Sequence, residues 1–367
     1  MALFQLSCPQ LSGAWIGARL LAVVLLAQAG AAHPAAAQTA KNSGNWLPEI
    51  LSPPAASKPK PKPAPPSPAE KRRHLLDDVH SWGYQLRLIR FPEIAASPLD
   101  LVVIDHALSA GRRFVHQFAP ELIDHAKLTP NGQRRIVLAY LSIGEAERYR
   151  FYWDQAWYDP ARKPSWLGAL NPEWDGNYIV RFWDPGWQRI ILEGPDSYLA
   201  HIKSAGFDGI YIDRADVHSE WLKEKPDAEA LMAEFIRRLA TAARADAPRF
   251  LIIMQNAEEL VRRKSVLDVI DGIAKEDLYY GIDHKAGRND RGNVEDSLRY
   301  LRQAKRSGRR ILVVEYLDEE AKVSDVRRRS AAEGFVLHVT GRDLGDLSVI
   351  SPDRLVPQLE APQHPGK

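Results

Sequence analysis

From about residue 80 almost to its end, the chain alternates short apolar runs with segments of helical periodicity. Phe235, Ile236 and Leu239 form one such helical stripe. Strands that alternate with helices favour a parallel sheet, because each helix returns the chain to the same edge of the sheet. The apolar runs are residues 84–89, 101–104, 136–141, 178–182, 209–212, 250–254, 272–274, 311–314 and 335–339.

The predicted fold is α/β, a (β/α)8 or TIM barrel. A closed barrel needs eight strands, and the chain offers nine candidates. The stretch from residue 141 to residue 206 is long for one βα unit, so we interpret 178–182 as an extra strand, or part of an elaborated loop, between barrel strands three and four. An open doubly wound sheet is the alternative, although no Gly-rich phosphate loop follows the first strand.

The N-terminal region has the features of an export signal. Residues 20–32 are almost wholly apolar, and three alanines at 35–37 form a small-residue cleavage site. We therefore expect a signal peptide over 1–37 and a periplasmic or extracellular protein with no membrane span in its mature form. The apolar stretch is short for a spanning helix, and an uncleaved anchor is the alternative.

The rest of the chain divides by composition. Residues 38–77 include a Pro/Lys/Ala-rich stretch and are predicted to be a disordered linker. The barrel domain is predicted over 78–350, and a tail over 351–367. The formal net charge of the 367 residues is only +2, which gives no electrostatic reason to expect a nucleic-acid partner.

Cysteine and histidine usage excludes several chemistries. The single cysteine, Cys8, lies in the predicted signal peptide, so the mature protein would have no disulfide, Cys nucleophile or Fe–S cluster. The eleven histidines show no i, i+4 pair of the kind found on zinc-binding helices. We expect no metal and no cofactor. A metal-dependent deacetylase or phosphodiesterase has only the dipeptide Asp105-His106 in its favour.

Acidic residues follow several of the predicted strands. The most informative segment is Gly206-Phe-Asp-Gly-Ile-Tyr-Ile-Asp213, a buried run that ends in a carboxylate. Glu145, Glu276 and Glu315 occupy similar positions on other strands. A single acid at a strand end is often a turn residue or a helix cap. Four of them at the C-terminal face of one barrel would instead form an acidic pocket, where catalytic groups lie in this fold.

Two neighbouring carboxyls can hydrolyse a glycosidic bond. One must be ionised to attack the anomeric carbon, and the other must be protonated to assist the leaving oxygen. Asp213 and Glu276 are the predicted pair. A non-catalytic sugar-binding barrel of an exopolysaccharide system is the alternative, and Glu276 could also be a plain surface-loop residue.

Aromatic residues are abundant after the third barrel strand, at 149–158 and again at 166–187. Flat rings can pack against the C–H faces of sugars while their polar edges stay in water. We expect two or three of them to reach a substrate, Trp153 among them, and the others to pack in the core.

The combined motifs resemble those of glycoside hydrolase family 114. The match extends from about residue 82 to about residue 346. The segments that carry it are Tyr140-Leu-Ser-Ile-Gly-Glu-Ala-Glu147, Phe182-Trp-Asp-Pro-Gly-Trp187, Gly206 to Asp213, Asn256, and Glu276 with Tyr279.

The resemblance implies a secreted barrel hydrolase similar to endo-α-1,4-polygalactosaminidases, with Asp213 as nucleophile and Glu276 as general acid/base. The implied partner is a polysaccharide, a galactosamine polymer that is cationic where it is not acetylated. Glu145 is expected to bind the substrate amine or to tune Glu276. The expected substrate contacts are Tyr140, Ser142, Glu145, Trp153, Tyr211, Asp216, Asn256, Tyr279, Glu315 and Tyr316.

Overall fold

The structure, a computed structural model, describes residues 65–110, 114–283, 285 and 287–347. The predicted signal peptide, the tail from 351 to 367 and the linker up to residue 64 lie outside these ranges. Within them, no helix is long and apolar enough to cross a membrane.

Strands and helices alternate along most of the described chain. The strands are β1 (Trp82–Gln85), β2 (Leu101–Ile104), β3 (Ala107–Ala110), β4 (Phe114–Gln117), β5 (Ile136–Ser142), β6 (Glu145–Glu147), β7 (Leu167–Leu170), β8 (Asn177–Val180), β9 (Gly209–Asp213), β10 (Leu251–Gln255), β11 (Gly272–Glu276), β12 (Arg310–Tyr316) and β13 (Val336–Thr340). The α-helices are α1 (Pro68–Asp77), α2 (Phe91–Ala96), α3 (Pro120–Ala126), α4 (Pro185–Leu192), α5 (Tyr198–Ser204), α6 (Ala228–Arg244), α7 (Lys264–Leu267), α8 (Arg291–Arg306) and α9 (Glu320–Glu333). Short 3₁₀ helices span Gln155–Tyr158, Ala215–Ser219 and Glu258–Arg262.

Eight parallel strands form the barrel, in the order β1-β2-β5-β9-β10-β11-β12-β13. The first and last strands are joined by the indole of Trp82, which donates a hydrogen bond to the carbonyl of Val336 at 3.0 Å. Apolar side chains from alternate positions, such as Leu138, Leu251 and Leu312, fill the interior. The (β/α)8 prediction is confirmed.

The ninth candidate strand lies outside the barrel, as expected. It is β8, the middle strand of a small antiparallel sheet in the order β6-β8-β7. This sheet belongs to the long connection between the third and fourth barrel strands, β5 and β9. A second small sheet, the β3–β4 hairpin, follows β2 and was not predicted.

The local sequence explains how β9 places its final carboxylate. Gly206 adopts a φ of +88°, a backbone conformation that favours glycine, and turns the chain from α5 into the strand. Asp208 fixes the start of the strand by accepting a 3.0 Å hydrogen bond from the backbone N–H of Val137. Parallel pairing with β5 and β10 then carries the strand to Asp213 at the C-terminal face of the barrel.

The linker prediction is wrong over its last ten residues, which form helix α1. Ser67 and Glu70 make a reciprocal capping box at its N-terminus, and Pro68 occupies the first turn. Leu76 packs into the barrel's interior cluster, and Arg72 forms a buried ion pair with Asp271 at 2.9 Å. These contacts order a segment whose composition alone resembles a spacer.

Candidate active site

Asp213 and Glu276 end β9 and β11, the fourth and sixth barrel strands. The residues that follow them, Arg214 and Asp277, have φ values of +58° and +48°, and Asn256, just after the intervening strand, has +53°. Such left-handed residues turn the chain sharply away from each strand. Clusters of them are costly and occur mostly at functional sites.

Gln255, the last residue of the intervening strand β10, joins the two carboxylates. Its side-chain nitrogen donates to Oδ1 of Asp213 at 3.0 Å and to Oε2 of Glu276 at 2.7 Å. Since both oxygens contact one nitrogen, they can be at most about 5.7 Å apart. Gln255 was not predicted as a site residue.

Each carboxylate has further hydrogen-bond donors. Asp213 accepts from the hydroxyl of Tyr140 and from the backbone N–H of Arg214, both at 2.7 Å. Glu276 accepts from the side-chain nitrogen of Asn256 at 3.1 Å and from the hydroxyl of Tyr316.

Asn256 also fixes the backbone of Glu276, whose N–H donates to the Asn256 side-chain oxygen at 3.2 Å. Both carboxyls are therefore held in fixed orientations, as a catalytic pair requires.

The pair has an unusual proton affinity. Burial, together with the neighbouring charge of Glu276, raises the pKa of Asp213 to about 7. Burial also raises the pKa values of Tyr140 and Tyr316 well above the ordinary value, with the charges of Asp213 and Glu276, respectively, adding to the effect. The two tyrosines therefore remain hydrogen-bond donors throughout the physiological range.

A cavity of about 820 Å³ opens over the carboxylate pair. Twelve acidic and five basic residues line the cavity, so its electrostatic potential favours cationic ligands. Of the expected site residues, those that line the cavity are Tyr140, Glu145, Asp213, Asp216, Asn256, Glu276 and Tyr316.

The other five expected contacts do not line the cavity. Ser142 is buried, and its hydroxyl accepts from the backbone N–H of Glu145 at 3.3 Å. The rings of Tyr211 and Tyr84 lie 5.1 Å apart inside the barrel. Tyr279 is buried, with the guanidinium of Arg329 4.0 Å from its ring centroid.

Glu315 supports the loop after β11. Val314 and Tyr316 point into the barrel, so the residue between them points toward the helices. Its buried carboxylate accepts from the backbone N–H groups of Tyr279 and Tyr280 at 2.8 and 3.3 Å. Burial raises its pKa to about 8.

Trp153 belongs to an aromatic cluster beside the small β6-β8-β7 sheet. Its ring centroid lies 5.1 Å from that of Trp157 and 5.0 Å from that of Tyr178. Because its neighbours occupy these faces, Trp153 has a packing role and is absent from the cavity wall.

Glu145 lines the cavity but contacts neither Glu276 nor Asp213 directly. Its buried carboxylate accepts from the side-chain nitrogens of Asn171 at 2.8 Å and Asn177 at 3.0 Å. It also forms a 2.7 Å ion pair with Arg214, the residue after Asp213. Glu145 therefore connects the β7–β8 loop to the residue that follows β9.

A second buried charge network forms another part of the wall and was not predicted as a unit. Arg150 donates to both carboxylate oxygens of Asp105 at 2.7 Å and to Glu147 at 2.6 Å. Its guanidinium also lies 5.8 Å from the ring centroid of Tyr140. Asp105 was considered only as half of a possible metal-binding dipeptide, and its neighbour His106 is fully buried against it.

Among the described residues, no group of three or more His, Cys, Asp or Glu side chains is arranged to hold a metal ion. Asp105 instead forms a 2.7 Å ion pair with Arg150.

Two neighbouring carboxyls at the C-terminal mouth of a (β/α)8 barrel meet the requirement for glycoside hydrolysis. The sequence profile of glycoside-hydrolase family GH114 matches residues 61–356, and the chain belongs to that family.

Two uncharacterized proteins are similar to most of the chain. The chain is 35% identical over 284 residues to an uncharacterized protein of Methanocaldococcus jannaschii, covering 73% of this chain and 78% of the other. An uncharacterized protein of Deinococcus radiodurans is 32% identical over 285 residues, covering 77% and 86%.

The glycoside hydrolase domain of PelA from Pseudomonas aeruginosa has a similar fold, with a TM-score of 0.57 and 19% identity, over 74% of this chain and 98% of that one. Aspergillus fumigatus Ega3, solved in complex with galactosamine, gives a TM-score of 0.50 and 19% identity, over 73% and 93%.

Proposed function

We propose that the protein is an exported retaining glycosidase that cleaves α-1,4-linked galactosamine polymers at internal glycosidic bonds of the polysaccharide. The observation that carries the mechanism is the shared donor Gln255, which limits the nearest oxygens of Asp213 and Glu276 to about 5.7 Å. Retaining enzymes hold their carboxyls about 5–5.5 Å apart, whereas inverting enzymes need about 6.5–9.5 Å to admit a water.

In the first step, Glu276 carries the single proton of the pair, so its charge no longer opposes the ionisation of Asp213. The ionised carboxylate of Asp213 attacks the anomeric carbon. The bond from that carbon to the glycosidic oxygen breaks, and Glu276 transfers its proton to that oxygen. In the second step, Glu276 takes a proton from water, the water oxygen attacks the same carbon, and Asp213 is released. Tyr140 and the backbone N–H of Arg214 stabilise the ionised form of Asp213.

The acidic cavity supports the choice of substrate. Galactosamine units without an acetyl group carry an ammonium, and the excess of acidic over basic residues on the wall would concentrate them near the catalytic pair. The galactosamine bound to Ega3 is consistent with this substrate class. The proposal that the protein is exported is based on the apolar segment and the alanine cleavage site within residues 20–37.

Product analysis on a partly deacetylated galactosamine polymer tests the proposal. We expect the wild type to release oligosaccharides whose new anomeric configuration, followed by NMR, is α at first. Asp213→Asn should abolish release while binding persists, and Glu276→Gln should lower the rate about 10²- to 10⁴-fold. The matched control is Asp296→Asn, an exposed carboxylate on α8.

Binding without any product from the wild type would favour the alternative of a non-catalytic sugar-binding barrel. Initial release of the β anomer would contradict the retaining mechanism. Unchanged activity in Asp213→Asn would contradict the assignment of the nucleophile.

A further inference from the structure

Trp174 differs from every other tryptophan in the described ranges. Half of its surface is exposed, and it has no aromatic ring partner there. The other seven pack against other rings or into the core. Leaving an indole in water forfeits hydrophobic stabilisation, and a ring exposed in a cavity wall offers its flat, partly apolar face to a ligand.

The indole belongs to the same cavity as the catalytic pair, since Trp174 and Asp213 both line it. Trp174 lies in the loop between β7 and β8, whereas the carboxyls end barrel strands. A ligand that contacts both must therefore extend from the barrel mouth onto this loop.

The loop is fixed in place before any ligand arrives. Asn171 and Asn177, one on each side of Trp174, both donate to the buried carboxylate of Glu145. The backbone N–H of Asn177 donates to the carbonyl of Trp174 at 3.1 Å, and that of Asn171 donates to the carbonyl of Asn177 at 2.7 Å. A fixed aromatic surface loses little conformational entropy on binding.

The chemistry beside the ring suits an amino sugar. Glu173 and Asp175 flank Trp174 in sequence, and both line the cavity. A ring face can stack on the C–H side of a sugar while nearby carboxylates attract its ammonium group.

We infer that Trp174 is the stacking platform of a distal subsite, which binds an amino-sugar unit of the polymer beyond the two units joined by the cleaved bond. This inference rests on the proposed function and adds to it a chain-length preference. Substrates long enough to reach Trp174 gain binding from it, and shorter ones do not.

The test compares wild type, Trp174→Ala and Trp174→Phe on galactosamine oligosaccharides of increasing length. For long substrates, Trp174→Ala should lower kcat/KM by about 10-fold or more, because an indole contact is lost. Trp174→Phe should recover part of that loss, and the shortest cleavable substrate should show almost no difference. Tyr158→Ala is the matched control, since Tyr158 is about as exposed but does not line the cavity.

Binding is measured separately in the Asp213→Asn background by tryptophan fluorescence. Long oligosaccharides should change the emission, and the change should be lost on adding Trp174→Ala. Equal activity of wild type and Trp174→Ala at every length overturns the subsite and leaves the proposed function intact. A folded wild type that neither binds nor cleaves these substrates overturns both.

Discussion

Asp213 and Glu276 share a single hydrogen-bond donor, a side-chain nitrogen that lies 3.0 Å from the first carboxylate and 2.7 Å from the second. The donor belongs to Gln255, which is buried at the end of the strand between them. One side-chain amide therefore orients both carboxylates. Gln255 is therefore a positioning residue for both.

Replacing Gln255 by Leu should slow catalysis and shift its pH dependence. The variant loses hydrogen bonds to charged groups, each worth about 1.5–3 kcal/mol. Since those bonds favour the ionised carboxylates, their loss raises the pKa of Asp213, and the acid limb of kcat/KM moves to higher pH.

The measurement is a pH–rate profile of wild type and variant. Gln303→Leu, which removes a partly buried amide outside the cavity, serves as the control and should leave the profile unchanged. An unshifted acid limb in Gln255→Leu would contradict the role of the shared amide.

Asp213→Asn should stabilise the protein at neutral and alkaline pH. The folded-state pKa is raised to about 7 from 3.8, so between these values the folded protein retains a proton that the unfolded chain has lost. The free energy of unfolding therefore decreases as pH rises through this window. Removing the carboxyl should stabilise the fold by about 2–4 kcal/mol at pH 8 and by much less near pH 4.

Thermal unfolding of wild type and Asp213→Asn at both pH values measures the difference. Asp296→Asn, which removes an exposed carboxyl, should show no comparable gain. A gain of equal size at pH 4 and pH 8 would mean that proton binding by Asp213 is not its cause.

Much of the barrel could be predicted because its strands are separate apolar runs bounded by turns. The positions of Asp213 and Glu276 at the barrel mouth could also be predicted, since each ends such a run. Glu315 was expected to contact the substrate but does not line the cavity, for a physical reason. Parallel strands are buried on both faces, so hydrophobicity does not reveal that Val314 and Tyr316 face inward while Glu315 faces outward.

Gln255 illustrates a signal that was present but not used. It follows Leu251 and Ile253 at the two-residue spacing of inward-facing positions, which places it at the mouth beside Asp213. The contact between Asp105 and Arg150 carries no such signal. These residues are 45 positions apart on separate segments, and only the folded connection between β5 and β9 brings them together.

Glu145→Ala should destabilise the protein and weaken binding of long substrates. The substitution leaves Arg214, Asn171 and Asn177 without their shared acceptor. Losing hydrogen bonds to a buried carboxylate typically costs about 1.5–3 kcal/mol each, and a freed β7–β8 loop would no longer hold Trp174 in place.

Thermal unfolding and KM on long oligosaccharides measure the two effects. Glu145→Gln preserves the shape of the side chain and should lose less stability. Asp175 is an exposed residue of the β7–β8 loop that forms an ion pair with Arg148. Asp175→Asn should leave the stability of the protein nearly unchanged. If Glu145 instead bound the substrate amine directly, Glu145→Ala would raise KM equally for short and long substrates with unaltered stability.

Hydrolysis of a deacetylated galactosamine polymer should fall steeply with ionic strength. The twelve acidic and five basic residues of the cavity attract a cationic substrate over distances that salt screens, since the Debye length shrinks from about 30 Å at 0.01 M to about 3 Å at 1 M. Electrostatic attraction of this kind raises association rates by about 10- to 10³-fold at low salt. We therefore expect kcat/KM to drop by at least about 10-fold across this range, while kcat changes little. A fully N-acetylated polymer provides the neutral control. Equal salt dependence for both polymers would show that the acidic wall does not select cationic sugars.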